Sequence, residues 1–294
     1  MNIGERIREL RISKLMTQSE LAGDHITRNM LSCIENGSAN PSLSTILYIA
    51  GRLNVPAGFL LAEEGDEIVY RKISNLSNIK RAYTAGDWRG CRSLCFSGCP
   101  EPDDEIGLLL AHCDAGIAVE EFWNGKLRSS CRFFDEALSY AEKTIYPTED
   151  VEATARVYFR YMERFSYTLY SDVLDESKPL PLRADTPLVA YLDAWDALDR
   201  GEHDTAEAFL TETASDSFEY THVRARLMMV AGDHKGAEKL LSQLLKAETP
   251  LNPVSLYTVL CELENCCREN EDFKGAYNYA NEKVALLEQL LKEV

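Results

Sequence analysis

The residues best equipped to contact a ligand lie between positions 17 and 37. They form the runs Thr17-Gln18-Ser19-Glu20-Leu21-Ala22, Ile26-Thr27-Arg28-Asn29-Met30-Leu31-Ser32 and Ile34-Glu35-Asn36-Gly37. This pattern predicts two short helices joined by a tight turn, the second closed by Gly37. Such a pair offers its second helix to the major groove of DNA. A second constellation is Arg156, Arg160 and Arg164, a row of cations at i, i+4 and i+8. The row could receive the carboxylate of a peptide; the other reading is a solvated face paired to neighbouring Asp or Glu. Tyr158, Tyr161 and Phe165 belong to the same aromatic stretch, which continues through Tyr167 and Tyr170, and make it the candidate wall of a ligand groove. No set of residues is arranged for a reaction. There is no phosphate-binding glycine loop, no Gly-x-Ser-x-Gly elbow and no His-Glu-x-x-His, and the five histidines are scattered. An enzyme is not expected.

The 294 residues suit two domains, or one small domain with a repeat array. Hydrophobic residues at 45% and charged residues at 27% allow a substantial core. No apolar stretch follows a basic start, so no signal peptide is read. The most apolar run, Ile106 to Val119, is broken by His112 and Asp114 and is too short for a bilayer. A cytoplasmic protein without membrane contact is therefore expected. Nine cysteines in such a chain point to reduced thiols. Cys91, Cys95 and Cys99 recur every four residues, but the paired short spacings of a zinc site are absent. Small buried thiols are the favoured reading, with no metal and no cofactor.

The net charge of −17 is uneven: residues 1–62 carry six basic and five acidic side chains, leaving −18 on the remainder. That remainder would repel nucleic acid. Contact through residues 1–62 should be modest and salt-sensitive unless the protein dimerises. Within them, Ile3, Ile7 and Leu10, with Leu15 beyond, predict a first amphipathic helix. Thr17 with Glu20 reads as a capping box that starts a second helix, Gln18 to about Gly23. Thr27 caps a third, with Met30, Leu31 and Ile34 inward and Asn36-Gly37 as its stop. Asn40-Pro41-Ser42 opens a fourth, with Leu43, Ile46, Leu47 and Ala50 on its buried side. Asn54-Val55-Pro56 opens a fifth, whose Phe59, Leu60 and Leu61 close the core.

Through these motifs, residues 3–62 resemble the phage-repressor (XRE, or lambda-repressor-like) helix-turn-helix family. The pattern of that family is I-x-x-R-I-x-x-L-R, then T-Q-x-E-L-A, then I-E-N-G-x-x-x-P-S-L. The turn Ala22-Gly23-Asp24-His25-Ile26-Thr27 is one residue shorter than usual. The resemblance implies that Arg28, Asn29 and Ser32 face bases, and that Gln18, Asn36, Ser38 and Asn40 contact phosphates. It also implies that Arg11 and Glu35 form a structural ion pair between the first and third helices. The chemistry agrees, because Arg bonds guanine O6 and N7 together and Asn does the same to adenine N6 and N7. For Arg28 and Asn29 the alternative is a solvated polar face with helix capping.

Beyond an acidic linker at 63–72, residues 73–294 read as helices of period 3.6. A helix-ending glycine, a polar residue and a new helix recur at Gly86-Asp87-Trp88, Gly125-Lys126-Leu127, Gly201-Glu202-His203 and Gly232-Asp233-His234. Glu271-Asp272-Phe273 is a fifth copy without the glycine. Five residues after each first position stands a small side chain: Cys91, Ser130, Ala206, Ala237 and Ala276. The one long interval, Gly125 to Gly201, leaves room for a degenerate copy around Ser166 to Asp175. Stacked helical hairpins need several copies in series, because each covers the open face of the next. The pattern resembles tetratricopeptide repeats in five or six copies; an unspecialised helical bundle is the other reading.

An all-α fold is thus expected, a five-helix lambda-repressor-like domain followed by a tetratricopeptide-like α-solenoid. The combination resembles the peptide-sensing RRNPP regulators. That resemblance implies a homodimer on a double-stranded DNA operator, with a short signalling peptide bound in the repeats, as in quorum sensing. The alternatives are a DNA-tethered scaffold for a protein partner, or a ligand-independent repressor whose repeats serve only dimerisation.

Overall fold

The computed structural model describes residues 2–62, 67–99, 101–174 and 186–292, and every regular element among the described residues is a helix. The chain divides into two compact units, Met1–Ile106 and Gly107–Val294.

The first unit opens with α1 (Ile3–Ser13), α2 (Gln18–Ala22), α3 (Arg28–Glu35), α4 (Leu43–Leu53) and α5 (Ala57–Leu61). Three of these starts are set by the hydroxyls the sequence points to. Thr17 accepts the Glu20 N–H while the Glu20 carboxylate accepts the Thr17 N–H, and Thr27 and Ser42 cap α3 and α4. Ile7, Leu21, Leu31, Ile34, Ile49 and Leu60 close the core. Helices α1 and α3 meet backbone to backbone at Gly4, where a Cβ would overlap the Ile34 carbonyl oxygen.

Four expectations of burial fail here. Met30 is 39% exposed, and Leu43 and Leu47, placed on the inner side of α4, are 64% and 56% exposed. Leu61 is also exposed. The rotation of α4 is set by α2: the Tyr48 hydroxyl donates to the Ala22 carbonyl at 3.0 Å, and Arg52 donates to that of Glu20. These bonds fix one edge of the buried arc, which runs through Thr45, Ile46, Ile49, Ala50 and Leu53. Leu43 and Leu47 fall past its other edge.

The hairpin of α6 (Glu67–Thr84) and α7 (Trp88–Gly98) belongs to the same unit. The compact division therefore lies at 106/107, inside the first turn of α8, and not at the expected linker. Of that linker, residues 63–66 lie outside the described residues, and 67–72 are the first turns of α6. The reason is a contact between α5 and α6. The Tyr70 ring stands edge-on to Phe59 at 6.3 Å and lies over Gly58, where any side chain would collide with it.

The second unit holds α8 (Asp104–Trp123) with α9 (Leu127–Lys143), then α10 (Glu149–Met162). The pairs α11 (Thr186–Asp199) with α12 (Asp204–Glu212), α13 (Phe218–Val230) with α14 (His234–Leu245), and α15 (Pro253–Glu269) with α16 (Phe273–Leu290) follow. All five recognised turns close alike. The N–H after the turn residue reaches five residues back: Asp87 to Ala82 at 3.0 Å, and Lys126 to Glu121, Glu202 to Ala197, Asp233 to Met228 and Asp272 to Cys267, each at 2.8 Å. This is the Schellman closure, which needs a left-handed residue. Gly232 supplies it at φ 84°, and Glu271, lacking the glycine, still adopts φ 62°. The small residues mark where the second helix crosses the first. Cys91 and Ser130 are fully buried and donate to the carbonyls of Ile79 and Ala118, each twelve residues earlier.

Between α9 and α11, the long interval adds one helix, α10, and not a pair among the described residues. After α10, residues 163–174 run in turns, so the degenerate copy expected around Ser166 has no second helix there; Asp175 lies outside the described residues.

Candidate nucleic-acid interface and ligand cavity

Helix α3 carries the first site. Its inner side is locked by Leu31 and Ile34 and by Glu35, whose side chain is 1% exposed. Arg11 grips that carboxylate with two bonds, Nε to Oε1 at 2.6 Å and Nη2 to Oε2 at 2.9 Å, and donates through Nη1 to the Met16 carbonyl. The Gln18 amide adds a third bond to Glu35 at 2.8 Å. Burial opposes ionisation of Glu35, but the hydrogen bonds from Arg11 and Gln18 and the Arg11 charge outweigh it and hold the carboxyl below its usual range. The bond from Glu35 in turn raises Arg11. The pair fixes α3 against α1, as a buried bidentate bridge can. Gln18, expected at phosphate, also donates to this brace through its amide nitrogen.

The outer side of α3 is open. Arg28, Asn29, Cys33 and Asn36 are exposed, and Ser32 is half-buried between them. Neither Arg28 nor Asn29 has a hydrogen-bond or ion-pair partner among the described residues, so both retain their full donor sets. Asn36, Ser38 and Asn40 follow at the end of the helix, all exposed; the Ser38 hydroxyl donates to the Cys33 carbonyl at 3.0 Å. A helix held from behind and furnished outward with unpaired Arg and Asn can form bidentate contacts to base edges.

In the second unit the aromatic stretch is core and not groove wall. Tyr158, Tyr161 and Phe165 are buried among Phe122, Phe134 and Tyr191, while Tyr167, at 90% exposure, and Tyr170 lie on the surface. Most of this stretch is drawn into the core because α10 packs between α9 and α11. The arginine row is paired. Arg156 bonds Glu152 at 2.8 Å; Arg160 bonds Asp193 at 2.8 Å and Asp196; Arg164 bonds Asp196 and, at 3.0 Å, Asp199. Arg226 of α13 extends the ladder to Asp199 at 2.5 Å and to Glu262 of α15 at 2.8 Å. Arg164 stacks 3.9 Å above the Trp195 ring centre. Behind the ladder, His222 is fully buried with its Nδ1 2.9 Å from the Tyr191 hydroxyl, and burial lowers its pKa, which keeps the imidazole neutral. The cysteines are free thiols, and burial pushes Cys131 and Cys266 up to about 12.

A cavity of about 680 Å³ opens beside this core. Trp123, Tyr158, Leu188 and Phe209 give it apolar walls, and Asp193, Glu212 and Glu219 stand around it. Tyr158 alone of the sequence-derived ligand candidates reaches it, with its hydroxyl accepting the Trp123 indole N–H at 3.1 Å. The three carboxylates come from α11, α12 and α13, and no local motif joins them.

Residues 7–60 match the helix-turn-helix family. Over 65 residues the chain is 37% identical to the immunity repressor protein of Bacillus phage phi105, a stretch covering 22% of this chain and 45% of that repressor's length. Among solved structures, the chain is similar to Bacillus thuringiensis PlcR in complex with the peptide PapR7 and DNA, at 15% identity and a TM-score of 0.24, covering 98% of this chain and 96% of that one. It is also similar to the apo form of the competence regulator ComR from Streptococcus vestibularis, at 16% identity and a TM-score of 0.22, covering 97% and 91%. The first unit carries a helix-turn-helix domain, with α2 and α3 as its two helices.

Proposed function

We propose that this protein is a sequence-specific DNA-binding regulator of transcription that acts as a homodimer and whose helical repeats sense a short peptide. The observation that carries the DNA reading is the outer face of α3, with Arg28 and Asn29 exposed and without partners among the described residues, on a helix braced by Arg11 and Glu35. Ser32 contacts bases beside them, and Asn36, Ser38 and Asn40 contact phosphates. The peptide reading draws on the apolar cavity of the second unit, whose size lies within the about 300–1,000 Å³ range of ligand sites. A peptide resets the protein only through a difference in affinity between two arrangements of the dimer.

Selection of genomic DNA fragments by the purified full-length protein, at low and physiological salt, tests this. The expected product is an inverted repeat with half-sites about one helical turn, or a multiple, apart. Fragments without a shared sequence at either salt would refute the regulator reading.

A further inference from the structure

The cavity of the second unit differs from a general apolar groove in the sign of its charge. Among its described lining residues are three carboxylates and no Lys, Arg or His. Asp193 is already held by Arg160. Glu212 closes α12 and Glu219 stands in the first turn of α13, and neither pairs with a cation among the described residues. The helix end at Glu212 and Thr213 adds backbone carbonyls of the same sign. Hydrogen-bond donors that would welcome an anion are largely committed: the Trp123 indole N–H goes to Tyr158, and the Tyr220 N–H at the start of α13 goes to the Ser217 hydroxyl. The apolar walls, by contrast, offer Leu188, Phe209 and the Trp123 ring to a hydrocarbon or aromatic group.

We infer that this cavity takes a short peptide that places an apolar side chain beside a basic one. The apolar side chain enters between Trp123, Leu188 and Phe209, and the Lys or Arg next to it lies against Glu212 and Glu219. Acidic peptides are disfavoured, because a carboxylate there would meet Glu212 and Glu219 with no cation among the described lining residues. This inference rests on the peptide-receptor reading above and adds the chemistry of the peptide to it.

The test is affinity selection on immobilised full-length protein from a pool of short random peptides. The peptides are N-acetylated and C-amidated, so that only side chains carry charge. The expected recovery is peptides with Lys or Arg adjacent to Leu, Ile, Phe or Met, enriched about tenfold over the pool, as two half-exposed ion pairs would give. The double variant Glu212→Gln/Glu219→Gln, which alters only half-buried and exposed positions, should lose the basic preference and keep the apolar one. Ala208→Trp, which fills the cavity, should lose both. Basic enrichment that survives the double Gln variant would be attraction to the acidic surface at large and would overturn the inference. Recovery of neutral or acidic apolar peptides, abolished by Ala208→Trp, would overturn it while leaving the receptor reading standing. Recovery of no peptide of any charge would overturn both.

Discussion

Helix α3 of the helix-turn-helix domain and the first helices of the five hairpins end with the same device, an N–H reaching back five residues across a left-handed turn. What differs is the fate of their cations. On α3, Glu35 holds Arg11 behind the helix, and Arg28 is left in front with no partner among the described residues. In the repeats, Arg160, Arg164 and Arg226 are all spent on Asp193, Asp196, Asp199 and Glu262. The carboxylates left over, Glu212 and Glu219, face a cavity. Helix α3 leaves a cation and an amide uncommitted on its outer face, suited to a polyanion. The second unit pairs Arg160, Arg164 and Arg226 internally and presents negative charge around an apolar cavity. A net charge of −17 is therefore compatible with DNA binding, because the acid is segregated by domain.

The contrast can be tested first at the brace. Arg11→Ala leaves Glu35 buried and ionised without its partner, which costs about 3–5 kcal/mol. Hydrogen exchange across α1–α3 should accelerate strongly while α13–α16 stay protected. Equal acceleration in both units would mean that they do not unfold separately.

Acid should divide the units in the opposite order. His222 has a lowered folded pKa, so its contribution is complete above the unfolded value of about 6.5 and is lost as pH falls through the folded value, at up to about 1.4 kcal/mol per pH unit. The groups around it are Tyr191, Trp195, Phe218, Arg164, Arg226 and Glu262. Glu35 is likewise lowered, but its contribution is complete above about 4.3 and lost only below that. Between pH 7 and 5, protection factors, taken relative to the intrinsic exchange rate at each pH, should therefore fall in the repeats before α1–α3, and His222→Asn should flatten the repeat's response. Unchanged pH dependence in that variant would remove His222 from the explanation.

The smallest effect concerns the turns. Glu271→Gly relieves a left-handed non-glycine residue and should stabilise the last hairpin by about 1 kcal/mol, while Gly232→Ala should destabilise its own by a similar amount. Thermal melts showing no opposed signs would mean that the five closures are not energetically equivalent.

Local signals carried much of this structure. Thr17 with Glu20, Thr27 and the five turn residues each declare themselves within a few positions, because capping and left-handed closure depend only on near neighbours. The Arg11–Glu35 pair came from family resemblance, since nothing local joins residues 24 apart. Leu43 and Leu47 were misplaced because i, i+4 spacing fits either side of α4, and the choice was made by the bonds of Tyr48 and Arg52 to α2. The Tyr158–Phe165 stretch looked like a groove because aromatic density marks both binding walls and cores. Its arginines were paired by aspartates on α11, more than thirty residues away. The cavity was illegible for the same reason: Asp193, Glu212 and Glu219 become neighbours only when three helices pack.

The most direct measurement is titration of a recovered operator, and of a scrambled duplex, with wild type and Arg28→Ala by fluorescence anisotropy. Loss of one bidentate base contact should weaken operator binding by about 5- to 150-fold, equivalent to about 1–3 kcal/mol. Affinity for the scrambled duplex should change far less. Operator affinity and sequence preference left intact by Arg28→Ala would contradict the assignment of α3 as the helix that reads DNA.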